Sequence, residues 1–322
     1  MDVLDWCTVC NSLLDEEDLF CSNCGKSADR RQSATPAQTE ILTHHFECSG
    51  CGASMSYDAS ARTLRCPYCA SEHLEKRDDV KAIRASKVVQ FQIDHAEAHR
   101  VLTDWLGTGF WRPSDLASVA TVESIAGVYV PHWVFAAETH AFWTADTSDT
   151  PLGARGDWFP LSGENRSSYS GLLVGASSEL SPDETEAVCP FDLNSSVEAD
   201  QVELDNAIVE QFTVPRKYAR PLARRGLEER EKQVCAQRYI PGRHRNLKVN
   251  IRIEQLRSEP LLLPVWVMAY QYRDKLYRIL INGQTGKVSG DAPFSTFKAV
   301  MIASIAILIA LIVLVIVAMA NR

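Results

Sequence analysis

Eight of the ten cysteines fall before residue 70, in four Cys-x-x-Cys pairs. Cys7 and Cys10 are followed after ten residues by Cys21 and Cys24, and Cys48 and Cys51 after fourteen by Cys66 and Cys69. Each pair makes a turn that points two sulfurs to one side, where backbone N–H groups stabilise thiolate charge. A hairpin joining two such turns brings four thiolates to a tetrahedron with metal–sulfur distances of about 2.3 Å. The residue after the second cysteine needs a positive φ. Gly25 and Gly52 suit it, Asn11 is the next-best residue, and Ala70 departs from the pattern. Four-cysteine iron sites use ligand pairs that lie further apart, so the expected ion is zinc, two per chain. Four thiolates close the coordination shell, which makes both sites structural rather than catalytic. Segments this short cannot fold on apolar cores alone, so metal binding supplies their folding free energy.

The other end of the chain is equally constrained. Ala299–Ala320 reads AVMIASIAILIALIVLVIVAMA, with Ser304 its only polar residue. At 1.5 Å per residue such a helix is about 33 Å long, enough for a hydrocarbon core of about 30 Å. It has no amphipathic face, so a membrane span over 298–320 is expected rather than a core helix. The first residues, MDVLDWCTVC, lack a basic n-region and an apolar h-region, so the expected topology is tail-anchored. Lys298 and Arg322 flank the span one on each side and leave orientation open. Unbridged thiol pairs suit a reducing compartment, which puts the N-terminus and the bulk of the chain in the cytoplasm.

Between these ends the sequence divides into a first cysteine ribbon (1–30), a linker (31–43, RQSATPAQTEILT), a second ribbon (44–77) and a β-rich body (86–296). The body's patterns predict a strand at 88–93, a helix at 95–106 capped by Asp94, and strands at 127–142 and 171–176. A short helix starts at Ser181-Pro182-Asp183-Glu184 and a longer one covers 222–239. Strands follow at 247–254, 261–272 and 275–281, with turns at Asn282-Gly283 and Thr285-Gly286. Pro131-His132-Trp133-Val134-Phe135-Ala136 echoes Pro264-Val265-Trp266-Val267-Met268-Ala269 at an offset of 133, which would carry the first helix onto 228–239. Two related halves are the expectation, with the tryptophans and prolines as packing residues.

Charge narrows the function classes. The 33 Lys and Arg against 41 Asp and Glu give −8, which counts against a dedicated nucleic-acid binder. The first ribbon holds seven acids and two bases, the second four of each. Neither is built for phosphates. Residues 179–210 hold ten acids and no Lys or Arg, while 216–248 hold eleven bases and three acids. These runs either offset one another or aim a basic face at anionic lipid. His95 and His99 read as a solvated helix face, His44 and His45 precede a shell already closed by cysteines, and Cys189 and Cys235 read as packed thiols. No phosphate loop, GxSxG or GxGxxG motif is present.

FECSGCGASMSYDASARTLRCPYCASEHLE resembles a transcription factor IIB-type zinc ribbon. GVYVPHWVF and LLLPVWVMAYQYRDKLYRILINGQTGKVSG are similar to the paired Pro-x-Trp segments and closing hairpin of bacterial membrane-anchored zinc-ribbon proteins. The resemblance covers about 44–297, and the first ribbon looks like an added double-zinc-ribbon-type module. Members are often labelled primosomal helicase-like, yet no Walker A lysine motif exists here to carry helicase activity. The expected fold is therefore α+β: two four-cysteine zinc ribbons, a β-rich cytosolic domain of two related halves and one transmembrane helix. The expected function is a non-enzymatic membrane-anchored adaptor presenting protein-docking ribbons to a cytoplasmic partner. Nucleic-acid tethering through the second ribbon and 216–248, and an enzyme within the β-rich body, are the alternatives.

Overall fold

The computed structural model describes residues 5–10, 13–14, 20–21, 24–27, 43–58, 65–77, 83–177, 179–204 and 207–320. The expected linker lies outside them except for Thr43. Strands β1 (Asp5–Trp6) and β2 (Leu13–Leu14) pair antiparallel beside the first cysteine set. β3 (Thr43–Cys48) runs between β4 (Ser54–Asp58) and β5 (Leu74–Arg77) at the second set. The body opens with β6 (Lys87–Val88), α1 (His95–Gly107), α2 (Leu116–Val119), β7 (Thr121–Thr147), β8 (Phe159–Gly175) and α3 (Pro182–Val188). It continues with β9 (Val197–Glu198), β10 (Ile208–Glu210), α4 (Arg216–Arg238), β11 (His244–Tyr272), β12 (Lys275–Asn282) and β13 (Val288–Gly290), and ends in α5 (Thr296–Ala320). The fold is mixed α+β around an 11-stranded sheet of order β13-β12-β11-β7-β10-β4-β3-β5, with β8 on β7, β6 on β11 and β9 on β6.

β7 and β11 pair antiparallel along nearly their whole length, from Thr121–Gln271 to Thr147–His244. The sequence of β11 explains what covers it. Over 248–253 apolar Val249, Ile251 and Ile253 alternate with Lys248, Asn250 and Arg252, the pattern of a sheet with one wet face. Over Leu261–Tyr270 the run LLLPVWVMAY is apolar throughout, because here both faces are covered. Met268 and Tyr270 pack under Ala98, Leu102 and Leu106 of α1. On the opposite face Leu263, Val265 and Val267 share a core with Val128, Val130, Val188 and, from the second cysteine segment, Cys48, Met55, Cys66 and Tyr68. The described residues of the second cysteine segment therefore contribute to the body's core. α4 lays Ala219, Ala223 and Leu227 on Trp133, Phe135, Leu172 and Val174.

The starts of α1 and α3 follow their local signals. The Asp94 carboxylate accepts the Glu97 N–H at the start of α1, and Ser181 with Glu184 forms a capping box before α3. Strand lengths differ from the expectation, and in β11 proline is the reason. The strands expected at 247–254 and 261–272 are one strand running through Pro260, and those at 127–142 and 171–176 extend to 121–147 and 159–175. A proline removes only a donor. The carbonyls of Pro260, Pro264 and Pro131 still accept from Ser86, Gly283 and Ala176 at 2.9, 2.9 and 3.0 Å. Likewise α4 starts at Arg216, not Leu222, and accommodates Pro221.

The sequence echo has a counterpart in bonding. Trp133 Nε1 donates to the Val214 carbonyl at 3.0 Å, and Trp266 Nε1 to that of Ile93 at 2.9 Å. The N–H groups of Val214 and Ile93 in turn reach the carbonyls of Ala176 and Gly283, at 3.0 and 2.9 Å. β10 lies parallel to β7 at Val128–Tyr129, and β6 lies parallel to β11 at Leu261–Leu262. Matched positions on the long strands are 133 apart. Those on the short strands and at the helix starts are 121 apart, so the first helix corresponds to the start of α4 at 216 rather than to 228.

Candidate metal centres

Two groups of four thiols stand together: Cys7, Cys10, Cys21 and Cys24, and Cys48, Cys51, Cys66 and Cys69, with all sulfurs of a group within 4.8 Å. Sγ pairs Cys7–Cys24, Cys10–Cys21, Cys48–Cys69 and Cys51–Cys66 are each 3.5 Å apart. A tetrahedron of metal–sulfur radius about 2.3 Å has edges of about 3.8 Å. A disulfide needs about 2.05 Å, and all eight thiols are free. The donor sets fit a metal ion in each group.

Backbone turns build these cages. The N–H groups of Gly25, Gly52 and Ala70 donate to the carbonyls of Cys21, Cys48 and Cys66 at 2.8, 2.8 and 2.9 Å. These three residues have φ of +73°, +87° and +58°, so Ala70 holds the left-handed conformation without being glycine. Asn11 lies outside the described residues. Four thiols this close cannot all ionise without a cation. Burial pushes the Cys66 thiol up to about 12 and raises Cys51 as well. At Cys48 burial is outweighed by the N–H groups of Cys51 and Gly50, which bring it to about 7. A bound divalent ion offsets this mutual repulsion.

The second centre is tied to the body by a buried polar contact that spacing did not reveal. Tyr68, inside the Cys66–Cys69 turn, donates its hydroxyl to Glu210 Oε2 at 2.5 Å, and Ser177 donates to the other oxygen. Burial pushes Glu210 up to about 7. β10 pairs antiparallel with β4, and Gln211 Nε2 donates to Ser56 Oγ at 2.5 Å. Ser56 Oγ in turn meets His45 Nδ1 at 3.1 Å, so His45 serves this strand contact and not the metal shell. The only sequence cue was a tyrosine set between two ligands.

Other singled-out residues are packing or surface groups. His95 packs edge-on against Trp266 at 5.7 Å, and the His99 carbonyl accepts from Thr103. Neither joins a ligand group among the described residues. Cys235 is buried, with its thiol pushed up to about 11 by burial, and burial also raises Cys189. In the basic segment Arg224 pairs with Glu228 at 3.1 Å, Lys232 with Glu229 at 3.4 Å and Arg245 with Asp146 at 3.3 Å. Lys217, Arg220, Arg224 and Arg252 rim an open groove of about 620 Å³ floored by Pro221, Ile251, Ile253 and Leu256. At the carboxyl end, one helix is long and apolar enough to cross a membrane, and its window Thr296–Val313 has no buried residue.

No protein-family model matches the chain, and no solved structure does. A similar protein from Bacillus subtilis (strain 168), the uncharacterized protein YdjG, is 22% identical over 310 residues, spanning 79% of this chain and 91% of its own length.

Proposed function

We propose that the chain is a non-enzymatic adaptor, anchored in a membrane by α5, that holds two structural zinc ions and presents its cysteine ribbons to a cytoplasmic protein partner. One observation carries this reading: four-thiol cages occupy one end of the chain and a 25-residue apolar helix with an exposed surface occupies the other. Closed shells of four thiolates favour zinc and leave no position for substrate. The first ribbon, with net charge −5, suits a partner with a basic surface. The recurrent tryptophan and strand bonds support a body made of two related halves that exchange arms, each lending its short strand to the other's long strand. Such an exchange makes a stiff spacer between the anchor and the ribbons. The resemblance to bacterial membrane-anchored zinc-ribbon proteins agrees with this arrangement.

Proximity labelling from the N-terminal ribbon in cells tests the adaptor role. A reproducible set of labelled proteins that disappears in Cys7→Ser, Cys10→Ser is expected. Labelling unchanged by that variant, or salt-sensitive binding of DNA or RNA by the purified chain, would replace the adaptor reading with nucleic-acid tethering. Elemental analysis of protein purified without chelator should give two zinc ions per chain; iron, or fewer than two metals, would sink the zinc assignment.

A further inference from the structure

The loop between α1 and α2 is fastened to the base of α5. The Ser295 N–H donates to the Trp111 carbonyl at 2.8 Å, and Lys298 Nζ donates to the carbonyls of Arg112 and Phe110 at 2.7 and 3.3 Å. Trp111 stacks on Phe294 with ring centres 5.4 Å apart and planes 21° from parallel. The same loop is held to the body. The Arg112 guanidinium lies 3.5 Å over the Trp105 ring and donates to the Thr108 carbonyl at 2.6 Å, while the Tyr272 hydroxyl donates to Asp115 at 2.9 Å. Despite this fixation Phe110 is 67% exposed, Trp111 47%, Phe294 58% and Phe297 77%.

We propose that this aromatic cluster is a second membrane contact, in which Phe110 and Trp111 sit in the headgroup region of the bilayer that α5 enters. The proposal rests on α5 being a span. Given that, contiguity fixes the occupant: Trp111 touches Phe294, two residues before the helix, so the medium around the first turn of α5 also surrounds Trp111. Tryptophan rings beside basic side chains match that layer, because the ring is apolar and the indole N–H still needs a polar neighbour. Lys298 and Arg112 lie at the same level, their charged groups held on carbonyls of this loop, so that they place positive charge beside the ring. With the span as one attachment and this loop as the other, the α1 end of the body stands against the lipid surface.

The test uses the full chain reconstituted into phosphatidylcholine–phosphatidylglycerol vesicles whose acyl chains carry bromine close to the headgroup. Bromine should quench part of the tryptophan emission. Trp111→Phe should remove most of the quenched fraction, and Trp158→Phe, beside Arg245 elsewhere on the body, should leave it unchanged. Quenching unaffected by Trp111→Phe would overturn the proposal. Carbonate extraction of the same vesicles separates the two failures. Retained protein with no Trp111-dependent quenching rejects the loop contact alone, whereas released protein rejects the span and the loop contact with it.

Discussion

His132 is wholly buried on β7, with Nδ1 3.1 Å from the Val130 carbonyl, and burial lowers its pKa from 6.5 to about 4. The folded chain keeps it neutral while the unfolded chain protonates it. Stability is therefore lost as pH falls from about 6.5 to about 4, by about 3 kcal/mol at about 1.4 kcal/mol per pH unit. Glu210 acts with the opposite sign. Burial raises it from 4.5 to about 7, so its stabilising proton is lost as pH rises through that range, at a comparable cost. In the wild type the two slopes offset one another between about pH 4.5 and 6.5. Glu210→Gln should expose the histidine's slope, so that urea midpoints of the detergent-solubilised variant rise more steeply with pH than those of the wild type. His132→Asn should tilt the profile the other way, and parallel profiles in all three proteins would refute the assignment. Ala70 offers a simpler test. At φ +58° its Cβ costs about 1–2 kcal/mol, partly offset by the extra unfolded-state entropy that glycine brings. Ala70→Gly should raise stability by about 0.5–1 kcal/mol, read as a higher midpoint with metal bound.

The elements divide between those written locally and those decided at a distance. Eight cage cysteines, the caps at Asp94 and Ser181 and the closing turn at Asn282-Gly283 were legible because each depends on neighbours within a few residues. Strand extents were not, since Pro260 reads as a break unless the acceptors it still offers are known. The union of the second cysteine segment with the body was hidden for the same reason. It rests on β10 reaching β4 and on Tyr68 meeting Glu210, which lies 142 residues away in the chain. The single offset of 133 carries the start of α1 into the middle of α4 rather than to its start, because the two helices differ in length, 13 residues against 23. The shared core makes the two centres unequal. Among the described residues Cys21 clusters with Cys7, Cys10 and Leu14, whereas Cys66 lies in the core with Val128, Leu263 and Val265. Cys21→Ser should lose one metal ion and leave the body's thermal transition in place. Cys66→Ser should lose one ion and also lower that transition, because an unclosed cage withdraws Met55 and Tyr68 from the central sheet. Equal transitions in the two variants would mean that the second segment folds apart from the body.

At the scale of the whole molecule, the sheet separates the basic helix from the anchor. Arg216 at the start of α4 donates to Ser258 at 3.4 Å, and Tyr239 just past its end stacks on Trp143 at 6.3 Å. α4 thus lies over the stretch of β11 that runs from Ser258 back toward Val249, the partner of Trp143. The base of α5 is instead near the other end of β11, where the Tyr270 hydroxyl donates to the Asp291 carbonyl at 3.0 Å. From Ser258 to Tyr272 the strand path is about 45 Å at about 3.3 Å per residue. A basic residue contributes about 1 kcal/mol when close to an anionic bilayer, and the interaction is screened beyond about 8–10 Å. With the aromatic loop in the headgroup layer and β11 leaving the bilayer along its length, the bases of α4 would stand well outside that range. In that orientation the basic run would serve a soluble anionic partner or its own acids rather than anionic lipid. Arg224→Glu with Arg225→Glu should accordingly leave Trp111 quenching by brominated lipid unchanged, in neutral and anionic vesicles alike and at any salt concentration. Should charge reversal reduce quenching in anionic vesicles only, the body lies on its side, and α4 shares the bilayer with the loop.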